Sequence, residues 1–472
     1  MRIGTFSLAA FFLFCLALNI LTLYNGHNWG GDFAQYLIHA QNLLSHRPYT
    51  AGIMLEQNII YPPGFPLLLA PWIQFWGVNF ILLKTLNIFC WIGALLFLHR
   101  LAKEHTDRSM ALLCTMLLSV SSVFFVFKQN ILSDMPFMFF ILGGLCLIQS
   151  RQWAWALIFI YWAILTRSAG LVLSLSAIFY FAWIQRDNLK TWTITLVTIV
   201  ALGTQLWITR GIHPAFFKAL SVNPAQTVQF LLQYAPTVWQ SLAWFYAPGQ
   251  TTFTSGIFLL FSWVLTITAP ILWIGLIFFG IKKCLTRKIS LIECFCFLYL
   301  LLLFFWSYFG DSPQQFNRFL FPIVGLIPLL FYHALKDAAS HHILKVAMVI
   351  FILINAINTL GNINFNDDDI IGPPSNRGLI EWVKTNTKPT DHFMFWEPRT
   401  ITLMTGRVGT TLAWLAFNPT NQWARIANDM QVNVFIVDRK SDKNLIAAFL
   451  SQPTWVKIIW QNKDYFIFQT IS

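Results

Sequence analysis

Ionisable side chains in an apolar chain mark the places where chemistry is possible, and here they are few. Before residue 361 the carboxylates are Asp32, Glu56, Glu104, Asp107, Asp134, Asp187, Glu293, Asp311 and Asp337. A chain that faces lipid keeps such groups only where water, a partner or a reaction tolerates them. Asp32 ends the run Asn28-Trp29-Gly30-Gly31-Asp32, just past the first long apolar stretch, and Asp134 stands in Leu132-Ser133-Asp134-Met135-Pro136. The cations Lys128, Arg167 and Arg318 also lie where apolar stretches end. A carboxylate can take the proton from a hydroxyl while neighbouring cations hold a departing phosphate. Those are the needs of moving a sugar off a phosphate-linked carrier.

Each residue also has a purely structural reading. Asp32 followed by Gln35 fits a capping box for a following helix. Ser133-Asp134 before Met135-Pro136 fits a helix N-cap with proline in the first turn. Arg167, between two half-length apolar runs, could extend its head to the membrane interface. Glu56 and Asp311 lie in polar stretches that suit solvated carboxylates. His27, His39, His46 and His213 are scattered without zinc-like spacing, so no metal is assigned, and no nucleotide signature or other cofactor motif is present.

The elements that must position these residues follow from composition. The 472 residues are 57% hydrophobic, 17% aromatic and only 11% charged, against about a quarter charged in a soluble domain. Runs of roughly 17–25 apolar residues can cross a bilayer as helix. Candidates are 3–23, 79–98, 109–127, 135–148, 153–165 with 168–183, 192–208, 255–279, 291–309, 319–335 and 344–360, which makes about eleven crossings. With the N-terminus inside, thirteen Lys and Arg fall in inner loops and six in outer loops up to residue 360, as the positive-inside rule requires. An odd number of crossings then places the tail outside. The net charge of +12 is mainly this topology signal; no exposed basic patch with interleaved aromatics suggests nucleic acid. The first span has a basic start but is too long for a signal-peptide core, so it reads as an uncleaved anchor. The seven cysteines lie in or beside apolar runs and read as buried, unreactive thiols.

Two outer loops and a tail stand apart. In the loop 24–78, Phe33, Tyr36, Leu37, Ala40, Leu43 and Leu44 recur at helical spacing, which predicts a short helix lying in the membrane interface. Tyr61-Pro62-Pro63-Gly64-Phe65-Pro66 predicts a rigid extended turn. The segment 209–254, cut by four prolines, suits a lid or an acceptor platform. The tail 361–472 holds eleven Lys or Arg and ten Asp or Glu. Its alternation of helical patterns (376–385, 421–430) and strand-like runs (392–396, 432–437, 455–460, 465–469) predicts a small α/β domain. Asp367-Asp368-Asp369 reads as a solvated hinge, since its spacing matches no calcium loop.

In order along the chain, Gly31-Asp32-Phe33-Ala34-Gln35-Tyr36, Tyr61-Pro62-Pro63-Gly64-Phe65-Pro66, Leu132-Ser133-Asp134-Met135-Pro136, Leu165-Thr166-Arg167-Ser168 and Asn317-Arg318-Phe319-Leu320-Phe321-Pro322 resemble motifs of C-type integral-membrane glycosyltransferases. They resemble the protein O-mannosyltransferase and aminoarabinose lipid A transferase group of that family. The resemblance spans most of 1–360, and the tail resembles that family's small periplasmic domain. It implies a polytopic α-helical membrane protein of a bacterial cytoplasmic membrane, with a periplasmic α/β domain. It further implies inverting transfer of a hexose or pentose from a polyprenyl-phosphate donor to a lipid, glycan or protein hydroxyl. Asp32 would be the base, Asp134 its active-site partner, Arg167 and Arg318 with Lys128 the phosphate ligands, and Tyr61, Pro62 and Pro63 a substrate loop. The first loop departs from the pattern in having one Asp without an adjacent second acid, which leaves metal dependence unsupported. The competing readings are a transporter or flippase of lipid-linked sugars, for which no internal repeat is seen, and a polysaccharide polymerase or ligase.

Overall fold

The computed structural model describes residues 2–55, 61–210, 281–283, 285–286, 288–307, 318–335, 341–361, 369–452 and 454–471. Glu56, Asp311, Asp367, Asp368, the span 255–279 and nearly all of the 209–254 segment lie outside them. Packing divides the chain into two compact units: Met1–Leu23 with Tyr61–Phe65 and Leu82–Phe365, and Tyr24–Ile60 with Pro66–Ile81 and Asn366–Ser472.

The first unit is helical. Among the described residues Phe80–His105, Ser168–Gln185, Asn188–Thr209 and His342–Leu360 are long and apolar enough to cross a membrane, and six shorter apolar helices accompany them. Two runs expected to be continuous are broken. The 109–127 run splits into Arg108–Ser119 and Ser122–Phe127, where Val120-Ser121 supplies a β-branched residue and a hydroxyl that competes for backbone bonds. The 319–335 run splits at Gly325-Leu326 into Phe321–Val324 and Ile327–Leu335, where Pro322 and Pro328 suit helix starts better than helix interiors.

The acids expected in inner loops are absorbed by local structure. Asp107 caps the Arg108–Ser119 helix through the Met110 amide at 3.0 Å and pairs with Lys345 at 2.8 Å. Asp187 caps Asn188–Thr209 and pairs with Lys190 at 2.5 Å, Glu293 pairs with Lys283 at 2.5 Å, and Glu104 meets Arg100 at 3.5 Å.

The second unit joins the loop that follows the first apolar helix to the tail. Its helix Gly31–Leu44 forms where the periodicity places it, but the polar stripe does not face water. Gln35, His39 and Asn42 are buried. Asn42 donates to the Tyr49 and Ala51 carbonyls at 3.1 and 2.8 Å, and His39 Nδ1 meets the Tyr49 carbonyl at 2.7 Å. The loop 45–51 thus covers the side that amphipathicity assigns to solvent. A further helix, Gly64–Trp76, begins inside the expected extended turn and carries Pro71 within it.

The tail is an α/β domain with strand order β2-β1-β3-β5-β4. Strand β1 (His392–Phe395) pairs in parallel with β2 (Gly409–Thr411) and β3 (Val432–Asp438), while β5 (Tyr465–Thr470) pairs antiparallel with β3 and β4 (Val456–Gln461). The near-continuous apolar run Val434-Phe435-Ile436-Val437 suits a central strand covered on both faces. Asp369 is fastened rather than solvated: it accepts from the His27 and Ile371 amides at 3.3 and 3.1 Å.

Phe449 anchors the tail core, its ring 4.8 to 6.0 Å from those of Phe468, Trp423, Phe435 and Trp455. Truncating a buried Phe leaves a cavity as well as losing transfer energy. Phe449→Ala should therefore destabilise the second unit by about 3–5 kcal/mol, seen as early proteolytic cleavage of the tail in urea. Wild-type resistance would show that this cluster does not hold the domain.

Candidate functional site

The sequence-predicted residues fall into two constellations, one in each unit. In the first unit Asp134 opens the helix Asp134–Gln149, and Arg167 stands between the helix Trp153–Thr166 and a short 3-10 turn, Ser168–Gly170. Ser133 occupies the N-cap position without a side-chain capping bond. The Asp134 carboxylate is turned to Arg167 instead: NH1 of Arg167 bonds Asp134 Oδ1. The arginine does not extend to solvent; its side chain is 17% exposed and that of Asp134 4%. The second oxygen, Oδ2, is buried without a hydrogen-bond partner among the described residues. An unmatched buried acceptor is costly and calls for a ligand or water.

Aromatic faces complete this constellation. The Arg167 guanidinium lies 4.9 Å from the centre of the Phe319 ring and 5.9 Å from that of Phe137. Arg318 lies 5.3 Å from the same Phe319 ring. Tyr299 fixes Phe319 by donating to its carbonyl at 2.9 Å. The proline turn is here too. A Cβ on Gly64 would come within 2.5 Å of the Leu165 carbonyl carbon, so only glycine lets the chain after Tyr61, Pro62 and Pro63 pack on the helix end that carries Arg167.

Lys128 is placed elsewhere. It is 2% exposed, sits over the Phe125 ring at 3.4 Å and donates to Thr22 Oγ1 and, at 3.4 Å, to the Asn19 carbonyl. A lysine at the C-terminal end of a helix matches carbonyls that the helix leaves open. Here the helix is Arg2–Leu21.

In the second unit Asp32 is the second residue of the helix Gly31–Leu44; the N-cap is Gly30 and no side chain caps it. Asp32 thus stands past the N-cap position that a capping box assigns to it, and the Gln35 side chain meets the tail. Arg399 NH1 donates to Gln35 Oε1 at 2.9 Å and approaches Asp32 Oδ1 at 3.4 Å. Glu397 faces the same corner, its carboxylate accepting from the Gly31 amide. A Cβ on Gly31 would meet Arg399 Nε at 2.5 Å and Glu397 Oε2 at 2.6 Å. Trp29 locks the approach, its carbonyl accepting from Thr400 Oγ1 at 2.9 Å and its ring meeting Phe395 edge-on.

The fold built around these groups compares with solved membrane enzymes. The oligosaccharyltransferase of Archaeoglobus fulgidus, in complex with zinc and sulfate, aligns over 97% of this chain and 73% of its own, with a TM-score of 0.55 at 13% identity. The same enzyme tethered to an acceptor peptide with an NVT sequon gives 0.56 at 12% identity. ArnT of Cupriavidus metallidurans in the apo state aligns over 99% of this chain and 98% of its own, with a TM-score of 0.51 at 11% identity. This chain has the fold of a C-type integral-membrane glycosyltransferase. Its apolar helices and this fold make it a multi-pass membrane protein with a small C-terminal sheet domain. No family model matches the sequence, and no curated protein does.

Within the C-type fold, Glu397 and Arg399 are the site residues that sequence reasoning missed. They lie just beyond the carboxyl end of β1, at the start of the helix Pro398–Thr405. In open α/β sheets that edge is where ligands and polar contacts gather. A usable signal was present: proline in the first helical turn, Pro398, and glycine after the last, Gly406. Among the described residues no group of three or more His, Cys, Asp or Glu is placed to hold a metal ion.

Burial pushes the Glu397 carboxyl up from an ordinary 4.5 to about 7, Asp32 adding to the rise while Arg399 and the Gly31 amide oppose it. The folded chain then holds this proton more tightly than the unfolded one. The associated stability is fully present below about 4.5 and is lost as the pH rises through about 7. At 1.36 kcal/mol per unit the linked loss is roughly 3 kcal/mol. Glu397→Gln, which carries no such proton, should match wild type near pH 5 and exceed it by a few degrees in melting temperature at pH 8. A difference independent of pH would show that Glu397 does not titrate in this window.

Proposed function

We propose that the protein transfers a sugar from a polyprenyl-phosphate-linked donor to an acceptor hydroxyl at the outer face of the cytoplasmic membrane, with inversion. The observation that carries this reading is the first-unit constellation. Two arginines lie against the Phe319 ring, and one of them grips Asp134, whose second oxygen is still open. Arginine forks suit a phosphate oxyanion, and an unmatched buried carboxylate oxygen suits a sugar hydroxyl. The C-type fold supports the reading, being shared with an oligosaccharyltransferase and with ArnT.

In this mechanism Asp32 accepts the proton of the acceptor hydroxyl, whose oxygen forms the new bond to the anomeric carbon. The bond from that carbon to the phosphate oxygen breaks, and its electron pair leaves with polyprenyl phosphate. Arg167 and Arg318 hold the departing phosphate, while Asp134 orients Arg167 and accepts from a hydroxyl of the donor sugar. Tyr61, Pro62 and Pro63 border this group as the substrate loop. Lys128 serves the end of the first helix. The N-terminus is inside and the tail periplasmic, so the donor arrives in the lipid and no soluble nucleotide sugar is needed.

A strain deleted for the gene accumulates both unused donor and unmodified acceptor, and its detergent-solubilised membranes supply the assay. Adding purified protein should form a product, detected by mass spectrometry, that names the sugar. A flippase would form none, since detergent leaves no compartments to connect. Asp32→Asn should reduce turnover roughly 10²–10⁴-fold, the usual worth of a general base, with folding intact. Arg167→Ala should lower turnover and weaken donor binding, and Arg167→Lys should restore only part, because lysine offers a point charge in place of a fork. Turnover by Asp32→Asn at the wild-type rate would overturn the assignment of the base.

A further inference from the structure

Asp32 is tied to the tail through a chain of hydrogen bonds whose direction can be worked out atom by atom. The Tyr49 carbonyl can only accept, so His39 Nδ1, 2.7 Å away, carries a proton. Burial pushes His39 down to about 4, so the ring is neutral and Nε2 is an acceptor. Gln35 Nε2, 3.3 Å from His39 Nε2, is therefore the donor of that contact. This fixes the Gln35 amide with Oε1 pointing away from His39, where it receives Arg399 NH1 at 2.9 Å. The ring of His39 is itself held by stacking on Tyr49, 3.9 Å away and nearly parallel.

We propose that Arg399 is a positioning residue for Asp32, held beside the carboxylate by the ordered chain Tyr49–His39–Gln35. The proposal rests on Asp32 being the base. Nothing in the first-loop motif assigns a partner to that carboxylate; the partner comes from the tail. Asp32 lies 3.4 Å from NH1, and its side chain is 23% exposed. Arg399 thus restrains the base without covering it. Glu397 lies in the same corner, held by the Gly31 amide. Arg399 and Glu397 are ionisable groups of this unit that interact with Asp32. A guanidinium at this distance attracts the carboxylate and limits its rotation.

The experiment measures turnover against pH, and the Michaelis constant for acceptor, with the solubilised deletion-strain membranes as substrate. The variants are Arg399→Ala, Arg399→Lys, Gln35→Leu and Asp32→Asn. Arg399→Ala should lower kcat at least tenfold at neutral pH with little change in KM, and should move the acidic limb of the profile to higher pH. Gln35→Leu should give a smaller change in the same direction, because it frees Arg399 without removing it. Millimolar guanidinium should restore part of the activity of Arg399→Ala, which a general loss of structure would not permit. If Arg399→Ala fails to fold, Arg399→Lys carries the test, with an intermediate kcat and a limb moved the same way. Asp32→Asn separates the two readings. An inactive Asp32→Asn beside Arg399 variants with wild-type kcat and pH limb overturns the positioning role alone. An active Asp32→Asn overturns both.

Discussion

Burying a guanidinium is tolerable only when its donors find matched acceptors, and the Arg399 corner meets that condition from two directions. Gln35 supplies a neutral acceptor whose orientation is set by His39, and Asp32 supplies charge. The close packing of Gly31 on Arg399 and Glu397 leaves no room for a side chain, so the loop before the helix Gly31–Leu44 is shaped by the tail residues. The amphipathic pattern of that helix then has a second meaning. Its polar stripe is a buried network that aims an arginine, where a membrane-interface helix would have exposed it.

The parts of the protein that were legible in the sequence were those where a charged residue stands out against an apolar background. Asp32, Asp134 and Arg167 are noticed because membrane-facing runs exclude charge, and the pairing of Asp134 with Arg167 follows from two helix ends meeting. Glu397 and Arg399 sit in a tail where charges are common, so scarcity offers no contrast. The helix that begins at Pro398 contains Thr400, Ile401, Thr402 and Thr405, whose branched side chains weaken helical propensity and hide it. Gly64–Trp76 escaped for a related reason: its prolines argue against helix locally, whereas tertiary packing of its apolar residues favours it. The cap motifs misled in the opposite direction. Both acids stand one or two residues inside a helix start, and each side chain meets an arginine.

Among the described carboxylates before the tail, three of the four expected on the inner side pair with lysine, while Asp32 and Asp134 pair with arginine. Those expected on the inner side find Lys190, Lys283, Lys345 or Arg100 nearby and serve as caps or surface pairs. Asp32 and Asp134 meet arginines from distant parts of the sequence. A lysine satisfies a carboxylate as a mobile point charge, while an arginine fixes the direction from which the carboxylate is approached. The second arrangement is worth its desolvation only where direction matters, as it does at a reacting centre.

Direction bears on how the proposed transfer divides its work. Asp32 stands in the first turn of a helix, where the open amides favour negative charge, and Arg399 acts in the same sense. Both stabilise the carboxylate, so both weaken it as a base. A weak base removes a hydroxyl proton readily only once the hydroxyl oxygen has begun to bond to an electron-poor carbon. Glycosyl transfer provides that carbon, since its transition state places positive character on the anomeric centre as the leaving group departs. The energetic weight then falls on stabilising the departing phosphate, which is the role proposed for Arg167 and Arg318. A base held ionised and oriented, paired with strong anion ligands for the leaving group, is the division of labour that a phosphate-linked donor calls for.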